Sequence, residues 1–168
     1  MPRPYWAAAA LTILAVAVGW ATRASTIDAR EARADAELEA TVLDRNIAVY
    51  EQRYGNDPHH ARIGARLADG YLTRFRARAD LSDLVRAEEV ARDLLSTASD
   101  AAAANARLST ILLARHDFEG ALATAHAAVA ADSAEPAAWA VLFDAAEATG
   151  RAELAERALE RLEAGHVG

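Results

Sequence analysis

Arg62, Arg66, Asp69 and Thr73 recur at helical spacing on one stripe, so their side chains share a face. Two guanidiniums on such a face can hold a carboxylate or a phosphate through charge-assisted hydrogen bonds. Arg74, Arg76 and Arg78 follow and outnumber the acids near them, which makes this stretch basic. Asp144 and Glu147 lie on a later segment of the same patterning and are followed by Glu153, Glu156, Glu160 and Glu163 against Arg151, Arg157 and Arg161. The far end of the chain is therefore acidic. Between the two, Ala103, Ala106 and Ala114 share a face that would accept an apolar helix or a bulky side chain by burying area. Arg62, Arg66, Asp69, Thr73, Ala103, Ala106, Asp144 and Glu147 are accordingly the candidate partner-binding residues, and the chemistry they suggest is recognition.

Catalytic, cofactor and metal chemistry lack support. Asp57-Pro58-His59-His60 contains the only histidine cluster, but adjacent residues point apart on a helix and no H-E-x-x-H spacing occurs. The chain has no cysteine, which excludes disulfides, thiolate metal sites and cysteine nucleophiles. All 18 basic residues are arginine, so there is no lysine for a Schiff base or a phosphate loop. No glycine-rich phosphate loop and no G-x-S-x-G elbow are present. A formal net charge of -7 argues against nucleic acid, whose affinity rests on neutralising phosphates. No enzyme activity, cofactor, metal or nucleic-acid partner is expected.

The elements that must position these residues follow from a period. Leu108 and Leu142, Asn105 and Trp139, Ala87 and Ala121, and Ala121 and Ala155 are each 34 residues apart in equivalent surroundings. A fixed period of that length in helix-forming sequence marks stacked helix–turn–helix units, none of which can bury its apolar face alone. Breaks have local causes. Gly55-Asn56-Asp57-Pro58 stops one helix and starts another, with Asp57 expected as N-cap and Pro58 in the first helical position. Asp80 or Ser82, then Asp117, can cap later helices, and Gly150 and Gly165 end the last two.

Trp139-x-x-Leu142-Phe143-x-x-Ala146 followed by Ala155-x-x-x-Leu159 resembles the tetratricopeptide repeat, W-x-x-L-G-x-x-Y and then A-x-x-x-F. Asn105, Leu108, Ser109, Leu112, Ala121 and Ala125 repeat the scheme one period earlier, and Leu67-Ala68-x-x-Tyr71 with Ala87 and Ala91 is similar again. Leu67 to Leu108 is 41 residues, so about seven extra residues lie between Phe75 and Asp83, implying an enlarged first turn. Departures are Phe143 and Ser109 for the usual small residue, Gly64 for the large aromatic, and Ser133 near the expected proline. The resemblance implies an all-α fold, a short right-handed solenoid of antiparallel helix pairs whose first helices line a concave groove for a protein or peptide. It implies a packing role for Trp139. The basic carboxylate clamp of some members does not carry over, because Ala103, Ala106 and Ala114 stand on the comparable face.

The N-terminus differs in kind. Pro4 to Thr22 carries no charge over 19 residues, roughly 28 Å as a helix against a hydrocarbon core of ~30 Å. Trp6 and Trp20 bracket the run and Arg3 and Arg23 stand outside it, as at two membrane interfaces. A retained anchor and a cleaved signal both fit, since Ala15-Val16-Ala17 and Gly19-Trp20-Ala21 each offer small residues to a signal peptidase. The short basic tail favours an extracytoplasmic, periplasmic body on a single-pass inner-membrane protein of bacterial type; the count of Arg23, Arg30 and Arg33 favours the cytoplasm. Ser25 or Thr26 is expected to cap the helix that follows. The organisation expected is an anchor at 1–24, a helical stalk at 25–43, repeats at 44–164 (a half repeat at 44–58, then about 59–99, 100–134 and 135–164) and a tail at 165–168. Oligomeric state is undetermined by sequence.

Overall fold

The protein is described by a computed structural model covering residues 5–97 and 99–165, with side chains from Arg30 onward. Seven helices and no strand occur among the described residues. They are α1 (Tyr5–Asn56), α2 (Ala61–Arg78), α3 (Leu81–Thr97), α4 (Ala101–Ala114), α5 (Phe118–Ala131), α6 (Pro136–Ala148) and α7 (Ala152–Gly165). The chain divides into two units, 1–42 and 43–168. The anchor expected at 1–24 rests on side chains outside the described residues. Among the described residues no helix is long and apolar enough to cross a membrane.

In the first unit, α1 passes through Ser25 and Thr26, so neither starts a helix. No proline or glycine stands between Gly19 and Gly55, and the alanine-rich sequence lets helix propagate once formed. From Arg30 to Glu39 every side chain is exposed, matching a segment polar nearly all round.

In the second unit, α2/α3, α4/α5 and α6/α7 pack as pairs, and α3/α4 and α5/α6 join the pairs into one stack. Links this short force sequential helices to lie antiparallel. Alanines at the crossings let backbones approach: Ala68, Ala87, Ala91, Ala121, Ala125, Ala145 and Ala158 have essentially no exposed surface. Larger side chains fill the space between, among them Leu67, Leu84, Leu108, Ile111 and Leu142. The end of α1 joins this core through Ile47, with Leu43, Tyr50 and Tyr54 half-buried against it. Gly64 has a reason to lack a side chain. A Cβ there would lie 2.8 Å from Leu94 Cδ2 and 2.9 Å from Tyr54 Cε2, so its absence lets the end of α1 and α3 close on α2.

Two local expectations are corrected. Asp57 and Pro58 do not open α2; they form a turn closed by the His60 N–H donating to the Asp57 carbonyl at 3.2 Å, and His60 is the N-cap. Asp before Pro in the first half of a turn is favoured by proline's fixed φ, which explains why the helix waits until Ala61. The extra residues of the first repeat do not enlarge its turn. Only Ala79 and Asp80 separate α2 from α3, and the added length goes into the helices, 18 and 17 residues against 13 or 14 in the later ones. Other ends follow their caps: the carboxylates of Asp80, Asp100, Asp117 and Glu135 accept from the N–H groups of Ser82, Ala103, Gly120 and Ala137. Gly150 takes φ +70° just past α6, as expected of a residue without a Cβ.

Candidate partner-binding groove

The first helices of the three pairs, α2, α4 and α6, line a groove of about 350 Å³. From α2 come Asp69, Leu72, Thr73 and Arg76; from α4, Ala103, Ala106, Arg107 and Thr110; from α6, Ala137 and Val141. Each set spans one turn to two at helical spacing (i, i+3, i+4, i+7 on α2 and α4; i, i+4 on α6), which places it on one face of its helix. Leu72, Ala106 and Val141 are buried, so part of the lining is apolar. Thr73 and Thr110 donate their hydroxyls to the carbonyls of Asp69 and Ala106, four residues back, at 2.8 and 3.1 Å.

Charge in the groove is only partly balanced. Arg107 grips Asp69 with two nitrogens, Nε to Oδ1 at 2.6 Å and Nη2 to Oδ2 at 3.2 Å, bridging α4 to α2. This is the forked geometry that guanidinium and carboxylate favour. Arg76 has no ion-pair or hydrogen-bond partner among the described residues. Arg74 and Arg78, read from sequence as part of the same basic stretch, are engaged elsewhere. Arg74 donates to Asp83 at 2.8 and 2.5 Å and to Asp44 at 3.3 Å, and Arg78 reaches Asp44 at 2.7 Å. The hydrogen bond from Arg78, with Arg74 assisting, holds the Asp44 carboxyl below its ordinary value. Asp83 is almost wholly buried and Arg74 largely so; together they tie α1, α2 and α3.

Of the residues expected from sequence, Asp69, Thr73, Ala103 and Ala106 come together in this groove. Arg62 and Arg66 are exposed earlier on the same α2 stripe, and Asp144 and Glu147 are exposed on α6 beyond Val141; none of these four lines the hollow. Leu72, Arg76, Arg107, Thr110, Ala137 and Val141 do line it and were not anticipated. The signal was present: each stands three, four or seven residues from an anticipated position or its 34-residue equivalent. Arg107 also has its partner 38 positions away, which no local pattern reveals.

Trp139 is half-buried at the edge of the core, donates its indole N–H to the Ser133 carbonyl at 2.8 Å, and carries the Arg161 guanidinium 5.2 Å from its ring. Ser109, where the repeat pattern has a small apolar residue, is fully buried and donates its hydroxyl to the Ala121 carbonyl at 2.9 Å. No group of three metal-ligating side chains occurs among the described residues.

No protein-family profile matches the chain, and no curated protein sequence matches it. Solved structures do resemble it. The crystal structure of TTC0263, a thermophilic TPR protein of Thermus thermophilus, superposes with a TM-score of 0.66 at 16% identity, over 74% of this chain and 66% of that one. The crystal structure of MamA gives 0.61 at 18% identity, over 73% and 68%. The chain thus spans about two thirds of the length of each. At these identities the likeness concerns the fold, and the fold is a TPR-like helical repeat.

Proposed function

We propose that this protein is a membrane-tethered interaction scaffold that holds a peptide or protein partner in the groove of α2, α4 and α6. The groove itself carries this reading: three helices from successive repeats leave one partly apolar hollow with an uncompensated guanidinium. A pocket of about 350 Å³ accommodates one or two bulky side chains of a bound segment. The tether is read from the uncharged run of residues 4–22 between Trp6 and Trp20, and its orientation from the short basic tail, which favours a periplasmic repeat unit assembling or recruiting envelope proteins.

The test has two arms. A photocrosslinker at Ala103 or Thr110 in the native host should capture a defined partner, and Ala137→Trp, an exposed wall position whose indole would obstruct the hollow, should lower its yield at least fivefold with little shift in the melting temperature. Equal capture by the obstructed groove would remove the groove from the function. Carbonate extraction and the mass of the mature chain read the tether: a chain that begins after Ala21 and washes free is a soluble binding protein instead.

A further inference from the structure

The stripes of α2 and α6 that run out from the hollow carry opposite, unpaired charge. On α2 the stripe Arg62, Arg66, Asp69, Thr73, Arg76 includes three arginines with no ion-pair partner among the described residues, while its one acid is already held by Arg107. On α6 the corresponding stripe continues from Ala137 and Val141 to Asp144 and Glu147, both exposed and without an ion-pair partner among the described residues. Arg74 and Arg78, on the same helix but off this stripe, are matched from α1 and α3. Like charges gathered on one face repel, and such a face gains when an opposite charge is brought to it. Between the charged stripes lies the small apolar floor of Ala103 and Ala106 on α4.

Resting on the groove reading above, we infer that the partner segment is bipolar: acidic where it crosses α2, basic where it crosses α6, and small or apolar between. Packed helices are spaced about 8–10 Å, so α2 and α6 stand roughly 20 Å apart across α4. An extended peptide rises about 3.3 Å per residue, which sets the two charged ends about six residues apart. A dianionic phosphate fits less well than a carboxylate, because Asp69 sits between Arg66 and Arg76 and would repel the second charge. Charge order therefore selects the partner and fixes its direction across the repeats, while the apolar floor supplies burial.

The test uses fluorescently labelled nine-residue peptides and anisotropy at low salt. One has two glutamates at one end, two arginines at the other and an Ala/Leu centre; a second has the same composition with the charges interleaved; a third carries glutamine at all four charged positions. The bipolar peptide should bind at least about tenfold more tightly than either, the scale of one charge-assisted contact. Arg62→Glu, Arg66→Glu and Arg76→Glu together should abolish that advantage. Adding Asp144→Arg and Glu147→Arg should restore it, which no unfolding artefact can mimic. Equal binding of the bipolar and interleaved peptides, no recovery in the charge-exchanged protein, or full binding by Ala137→Trp would overturn the inference. Tight binding of the glutamine peptide that Ala137→Trp blocks would sink the charge rule while leaving the groove as a peptide site; failure of every peptide together with empty crosslinks at Ala103 would remove both.

Discussion

Tyr71 shows how a single side chain couples the first repeat to pH. It is buried, its hydroxyl donates to Glu51 Oε1 at 2.7 Å, and burial together with that carboxylate pushes its pKa up to about 12. An unfolded tyrosine ionises near 10, so between about pH 10 and 12 the unfolded chain sheds a proton that the folded one keeps. Stability contributed by neutral Tyr71 is complete below pH 10 and declines through that window. Because the chain has no lysine, tyrosines dominate there, and Tyr71→Phe should flatten the fall of the urea midpoint between pH 9 and 11.5. Gly64 makes a steric prediction at the same scale. Gly64→Ala should cost net about 1 kcal/mol, since overpacking against Leu94 and Tyr54 costs about 1–3 kcal/mol and better helix propensity returns about 1. A variant more stable than the parent in urea would show that these neighbours yield freely. The arginines at the hollow were poorly legible in the sequence. Helical spacing points to Arg62 and Arg66, which stand outside it, whereas Arg76 and Arg107 line it. That Arg74 and Arg78 are occupied depends on Asp44, 30 and 34 residues upstream, and on Asp83 across a turn.

At the scale of elements, the tight link between α2 and α3 carries strain that can be relieved. Ala79 sits at φ 56° in the left-handed region, where a Cβ costs roughly 1–2 kcal/mol. Ala79→Gly should therefore raise stability by about 1 kcal/mol, whereas Gly150→Ala, at φ +70°, should lower it by a similar amount; the two unfolding curves must move in opposite directions. Helix pairing within the repeats was legible because it rests on local chemistry, alanines recurring at the crossings and acids at the N-caps, whereas the helix expected to start at Ser25 or Thr26 is part of the continuous α1. Two other features were not legible. Extra length between Phe75 and Asp83 reads as a loop from sequence, yet helix-favouring Arg76, Ala77 and Arg78 let α2 absorb part of it. Asp57-Pro58 carries the signals of a turn and of a helix start alike, and only the hydrogen bond from His60 to Asp57 decides between them.

For the molecule as a whole, the core begins at Leu43 and the exposed face of α1 from Arg30 to Glu39 contributes nothing to it. A chain starting at Leu43 should therefore melt within a few degrees of the full-length protein in calorimetry, and a drop of ten degrees or more would mean that residues before it support the repeats. Such a chain also keeps one of the protein's three tryptophans, because Trp6 and Trp20 precede the cut. The remaining indole, Trp139, lies under the Arg161 guanidinium of α7 and on the carbonyl of Ser133 between α5 and α6. Its emission is thus an optical gauge of one joint: detachment of α7 exposes the ring to water and shifts its fluorescence to the red, so the fraying of the last repeat can be timed without adding a label.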